Sequence, residues 1–184
     1  YRCRQDTKAD SKDVGTVDSR RRKNLSSARN VEGGFDMGTL VVYYSQTGTT
    51  KAVAEKIAEI KEADIVEIKP EKPYEMSYGK TVLTSLKEIF TKARPKLAME
   101  IPDIRKYDRI LIGCPIWCGG APNVVLTLLD ALNLTGKHLA VFTTSGATKP
   151  IKLAVSLKKA YPDAKWHKPL NANGITEEGI RNWM

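Results

Sequence analysis

Short apolar runs and helix-spaced apolar positions alternate along the chain from about residue 37 onward. The short runs are typical of strands that are buried on both faces, because the apolar character does not alternate with polar residues. Five segments follow this pattern and are predicted as strands: Thr39–Tyr44, Asp64–Ile68, Arg109–Gly113, His138–Thr144 and Lys165–Leu170.

Between these runs, apolar residues recur three and four positions apart, which predicts helices. The helical segments are Val53–Ile60, Val82–Ala93, Val125–Leu132, Ile151–Tyr161 and Thr176–Met184. Strand and helix alternating five times predict an α/β fold, a doubly wound parallel sheet with helices on both faces. Ligands of such sheets bind beyond the carboxyl ends of the strands.

Residues 1–36 show no such periodicity and are predicted to form a disordered basic tail, separate from a domain at residues 37–184. The tail has nine Lys and Arg against six Asp and Glu, so it supplies +3 of the formal charge of +9, and the domain supplies +6. The run at Arg20–Lys23 resembles a nucleic-acid or targeting patch, but a solvated tail is the favoured interpretation, and nucleic-acid binding is not expected. An alternative is that the native chain begins at Met37.

Composition restricts the location of the protein. No apolar run approaches the roughly 18 residues of a membrane-spanning helix, so no membrane contact is expected. The six acids of the tail argue against a transit peptide. The three cysteines have no framework spacing, which favours reduced thiols and a cytoplasmic location.

The loop after the first predicted strand carries four hydroxyl side chains around one glycine: Ser45, Thr47, Thr49 and Thr50 around Gly48. A glycine turn that enters a helix presents free N–H groups and the positive end of the helix dipole, which suits a phosphate. A simple Ser or Thr N-cap is the alternative, and it needs only one hydroxyl. This loop alone leaves both interpretations open.

The loops after the third and fourth predicted strands would lie at the same edge of the sheet. In the first of them, Trp117 precedes a pair of glycines; it could stack on a planar ligand or pack as core over the third helix. The second, at residues 143–148, offers small hydroxyls and backbone amides. No Walker A motif, dinucleotide fingerprint, catalytic triad or metal-ligand spacing is present, so no catalytic or metal residues are expected.

Two of these loops carry a resemblance to a known family. The pattern S-x-T-G-x-T, formed by Ser45, Thr47, Gly48 and Thr50, resembles the FMN-phosphate loop of the flavodoxins. The stretch "IGCPIWCGG" resembles the flavodoxin loop whose tryptophan stacks on the isoalloxazine ring. The resemblance runs from Met37 to about Gly179 and is closest to compact flavodoxin-like proteins of bacteria and archaea.

The resemblance implies a five-stranded sheet in the order 2-1-3-4-5 with FMN bound non-covalently at its carboxyl edge. By position, the first loop would hold the phosphate, the second would line the ring, with the peptide after Cys118 facing flavin N5, and the third would approach the ring's polar edge or the ribityl chain. The residues implied to bind FMN are Ser45, Gln46, Thr47, Gly48, Thr49 and Thr50, then Pro115, Ile116, Trp117, Cys118 and Gly119, and finally Thr144, Ser145 and Gly146.

Three functions are compatible with this resemblance. The first is electron transfer between redox partner proteins, which would be acidic given the charge of the domain. The second is an FMN-dependent NAD(P)H oxidoreductase of the quinone reductase kind, because the third loop lacks the second aromatic residue of many flavodoxins. The third is a flavin-free binding module, suggested by the basic tail, the altered third loop and the short last helix. The sequence does not determine the oligomeric state.

Overall fold

The structure is a computed structural model that describes residues 38–74, 78–145 and 148–184. The predicted tail at residues 1–36 lies outside the described residues, as does Gly146 of the third loop. Strands β1 to β6 and helices α1 to α5 follow one another as β1 Gly38–Tyr43, α1 Thr49–Lys61, β2 Asp64–Glu67, α2 Tyr78–Thr91, β3 Tyr107–Cys114, α3 Asn123–Ala131, β4 His138–Thr143, α4 Pro150–Ala160, β5 Lys165–Trp166, β6 Leu170–Asn171 and α5 Glu177–Arg181.

The predicted doubly wound sheet is confirmed. All pairings between its strands are parallel, and the order is β2-β1-β3-β4-β5. The central strands are buried on both faces because successive side chains point to opposite sides. Leu40 and Val42 belong to the core cluster under α3 and α4, whereas Val41 and Tyr43 belong to the cluster under α1 and α5.

The fifth strand differs from its prediction over Lys165–Leu170. Two segments of two residues each, β5 and β6, pair with β4 in place of one continuous strand. Pro169 has no N–H to donate to the ladder, and the carbonyl of Lys168 accepts a hydrogen bond from the Trp183 indole at 2.8 Å. The backbone between the two segments is therefore diverted from the sheet.

Helix α2 belongs to the connection between β2 and β3, which leaves the carboxyl edge of the sheet and returns to it before the chain reaches β3. Just beyond β2, Pro70 forms an antiparallel bridge with Leu97, and Glu71 N–H donates to the Lys96 carbonyl at 2.8 Å. The Asn123 side chain, at the start of α3, donates to the Ala93 carbonyl at 2.8 Å. Residues 99–106, which form no helix, then return the chain to the start of β3. This connection therefore places the end of α2 beside the edge where ligands of such sheets bind.

Candidate functional site

The first loop forms the predicted glycine turn at the start of α1. Gly48, which has no side chain that could cap the helix, occupies the N-cap position with φ of +87°. The N-cap alternative for the hydroxyls is therefore wrong. The first turn contains no acidic residue, so the positive end of the helix dipole is not offset there.

The hydroxyls of this loop contact one another and the third loop. The Oγ1 atoms of Thr50 and Thr144 lie 2.8 Å apart, and those of Thr47 and Thr49 lie 3.3 Å apart. Each hydroxyl has one proton, so a pair uses one proton internally and keeps the other for an outside acceptor. The Thr50–Thr144 contact also joins two loops that are 94 positions apart in the sequence.

Ser45 provides the test of whether a phosphate fits this loop. Its Oγ is buried and has no hydrogen-bond partner within the described residues. A buried hydroxyl without a partner is unfavourable, and native structures contain few of them. Thr143, at the end of β4, shares this property. A phosphate oxygen accepting from Ser45 would satisfy its donor, so the loop suits an anionic ligand.

The second loop holds Trp117 between two tyrosines that the sequence analysis did not single out. The ring of Trp117 lies 5.6 Å from Tyr44 and 4.9 Å from Tyr74, in both cases edge to face. The tryptophan is only partly buried while it packs against the core. Trp117 therefore belongs to the rim of the core and keeps an accessible surface, and its stacking on a planar ligand stays a prediction.

The two tyrosines beside Trp117 remain neutral at physiological pH. Burial raises the pKa of Tyr44 and Tyr74, and the nearby carboxylate of Glu88 adds to both shifts. The Tyr74 hydroxyl donates to Glu88 Oε2 at 3.0 Å. This bond ties the aromatic cluster to α2. No sequence motif marks Tyr44 or Tyr74, because their role depends on a contact that only the fold creates.

The peptide after Trp117 forms a tight turn. The backbones of Trp117 and Gly120 exchange two hydrogen bonds of 2.9 Å. Cys118 and Gly119 between them have φ of +48° and +84°, which is the type I′ pattern. Cys118 is a free, exposed thiol. Because this conformation favours Asn or Gly, the turn holds its cysteine in a conformation that few L residues adopt.

The remaining predicted residues lie around these three loops. Gln46, Pro115, Ile116 and Ser145 are each half-buried. The Ser145 carbonyl accepts a hydrogen bond of 2.8 Å from the side chain of Asn173, a residue that sequence reasoning missed. The Tyr44–Trp117 contact joins the first and second loops, just as the Thr50–Thr144 bond joins the first and third. The structure thus brings the three predicted loops together.

The strand order and the three loops define the class of protein, which is a doubly wound α/β domain of flavodoxin-like topology. The sequence profile of the flavodoxin family matches residues 38–184. The chain therefore belongs to the flavodoxin family. No curated protein shows significant similarity to the sequence.

Two solved structures show the relationship in detail. A Bacteroides uniformis protein assigned as a flavoprotein is 33% identical, with a TM-score of 0.73 over 79% of this chain and 96% of its own. A Lactobacillus acidophilus flavoprotein solved in complex with FMN is 30% identical, with a TM-score of 0.69 over 80% of this chain and 98% of its own. A flavodoxin from the Archaea, 16% identical with a TM-score of 0.51, shares the fold.

Among the described residues, no helix is long and apolar enough to cross a membrane.

Proposed function

We propose that this protein binds FMN non-covalently at the carboxyl edge of its sheet and carries electrons between redox proteins. The observation that carries the proposal is the buried hydroxyl of Ser45, in the loop between β1 and α1, which has no hydrogen-bond partner among the residues that the structure describes. The complex of the Lactobacillus acidophilus relative with FMN supports the choice of ligand. Bound FMN would supply the redox chemistry, and the chain would determine how it is held.

The first loop would hold the phosphate without a cationic side chain in the loop itself. Ser45 and the free protons of the threonine pairs would donate to phosphate oxygens. The positive φ of Gly48 is one that glycine adopts without strain, and the first backbone N–H groups of α1 would add donors.

The second and third loops would hold the ring. Trp117 would cover one face of the ring and exclude water from it, because its two tyrosine contacts fix the orientation of the indole. The turn at Cys118 and Gly119 would lie at the ring edge. Since the pKa of both tyrosines is raised, neither phenol would add a negative charge beside the ring.

The first experiment separates the phosphate site from the ring site by comparing FMN with riboflavin, which lacks the phosphate. Ser45→Ala is expected to weaken FMN binding by about tenfold or more, the effect of removing a hydrogen bond to a charged group. Riboflavin binding should not change. The exposed Thr135→Ala, which lies beyond α3, serves as the matched control. Equal losses for both ligands would contradict the assignment of the phosphate site.

The second experiment tests the role of electron carrier. Anaerobic electrochemical titration of the FMN-loaded protein should show two resolved one-electron steps, because a carrier between single-electron partners needs them. NADH or NADPH alone should leave the flavin oxidised over minutes, and adding a separate reductase should reduce it. Rapid bleaching by either nucleotide alone would contradict the carrier and favour an NAD(P)H oxidoreductase.

A further inference from the structure

We propose that the outward face of α2 is the surface on which an acidic electron-transfer protein docks. We call this surface the α2 patch and define it as Leu83, Leu86, Lys87 and Phe90. The proposal rests on the proposed function, because it names where the redox partner of the same site would bind.

The α2 patch is an apolar stripe on one side of the helix. At about 100° per residue its four members lie within an arc of about 100°. Leu83 is 69% exposed, Leu86 38% and Phe90 85%. A single exposed apolar residue is ordinary, but three on one helical face are typical of a binding surface.

The location of the patch links it to the candidate site. On the inner side of α2, Glu88 accepts a hydrogen bond from Tyr74, whose ring packs against Trp117. Just past the helix, Ala93 is held by Asn123 at the start of α3. A groove of about 360 Å³ runs from Lys92 and Arg94 to the turn at residues 118–121. The groove begins at the end of α2, so a protein seated on the patch and extending past Lys92 would reach the turn that borders the predicted ring site.

The charges around the patch select the partner. Lys87 lies within it, and Lys92 and Lys96 are exposed just beyond it. Two of the nearby acids are already engaged, since Asp130 pairs with Arg94 at 2.5 Å and Glu88 faces Tyr74. The surface is therefore apolar with a basic margin, which suits a partner with an apolar centre and carboxylates around it. A second copy of this chain would bring lysines against lysines.

The test uses the full 184-residue chain and an acidic b-type cytochrome with an exposed haem edge as the probe. Affinity is measured by calorimetry at low and high salt, without and with FMN, and FMN affinity is measured in parallel. Lys87→Glu combined with Lys92→Glu should weaken cytochrome binding by about tenfold at low salt and by less at high salt. Phe90→Ser should weaken it by about tenfold at both salt concentrations.

Matched controls come from α4, where Val155 is 61% exposed and Lys158 and Lys159 lie in the last turn. Val155→Ser, and Lys158→Glu combined with Lys159→Glu, should leave cytochrome affinity within about twofold of the parent, the usual behaviour of residues outside an interface. All variants should bind FMN as the parent does. A parent protein that does not bind FMN would refute the proposed function. The docking surface is judged separately, by cytochrome affinity.

Three results would overturn the inference. The first is cytochrome affinity that α2 and α4 variants change equally or not at all. The second is a dimer of the parent that Phe90→Ser dissociates in sedimentation velocity, which would assign the patch to a second copy. The third is protection of α2 from hydrogen exchange that disappears when residues 1–36 are removed, which would assign the patch to the chain's own tail.

Discussion

At the scale of single residues, the two cysteines of the second loop differ in accessibility. Cys114, at the end of β3, is fully buried, and burial raises the pKa of its thiol to about 12. Cys118, four positions later, is exposed. Because the thiolate is the reactive form, iodoacetamide at about pH 8 should modify Cys118 in the native protein and spare Cys114, as peptide mass spectrometry would show.

The same experiment at about pH 10 should still spare Cys114, because that pH remains below the raised pKa of its thiol. An unfolded thiol ionises near pH 8.5. The stability that Cys114 contributes is therefore fully present below that pH and is lost as the pH rises toward about 12. Cys118→Ala identifies the modified peptide. Native-state modification of Cys114 as fast as that of Cys118 would contradict its burial.

Residue types in the loops were predictable, whereas their partners were not. Ser45, Thr47 and Gly48 stand out in the sequence because so many hydroxyls beside one glycine exceed what a helix start needs. Tyr44 and Tyr74 did not, since their contact with Trp117 spans 73 and 43 positions of sequence. Which of these residues touch FMN stays a prediction that the Ser45→Ala comparison tests.

At the scale of elements, the ring of Phe142 in β4 occupies the space that a side chain at Gly113 in β3 would need. A Cβ added to Gly113 would lie 2.2 Å from the ring of Phe142, its paired residue in β4. Gly113→Ala should therefore lower the free energy of unfolding by about 2 kcal/mol, a typical cost of overpacking. Urea denaturation measures the change.

Phe142→Leu provides the double-mutant cycle for this contact. Leucine at this position should be destabilising alone but should relieve part of the clash in Gly113→Ala. The double variant should therefore lose less free energy of unfolding than the sum of the losses of the two single variants. Strictly additive costs would mean that the alanine is accommodated by some other movement of the strands.

The central strands and the edge strand β2 were predictable, and the fifth strand was not. The predicted Thr39–Tyr44 and His138–Thr144 match β1 and β4 within a residue at each end, because buried strands leave continuous apolar runs. The fifth strand failed because its pairing is interrupted at Pro169. The spacing in α2 predicted a helix, but it could not show that the helix stands at the carboxyl edge, which depends on contacts such as Pro70 with Leu97.

At the scale of the whole molecule, the net charge of the domain bears on the kind of redox partner proposed above. The domain combines a flavodoxin-family fold with a net charge of +6, so electrostatic steering would favour acidic redox partners. Lys87 lies within the exposed apolar face of α2, and Lys92 is exposed just past the end of the helix. A cytoplasmic location and the disorder of residues 1–36 stay predictions of the sequence.

The central claim is that the three loops at the carboxyl edge form one FMN site, and the most direct measurement is a titration of FMN with the purified full chain, followed by flavin fluorescence. Saturable quenching is expected, because Trp117 would stack on the ring, and Trp117→Ala should abolish most of it. Trp166→Phe, at the other end of the sheet, should quench like the parent. An FMN fluorescence that the parent protein leaves unchanged, with no binding by equilibrium dialysis, would contradict the account and indicate a flavodoxin fold without its flavin.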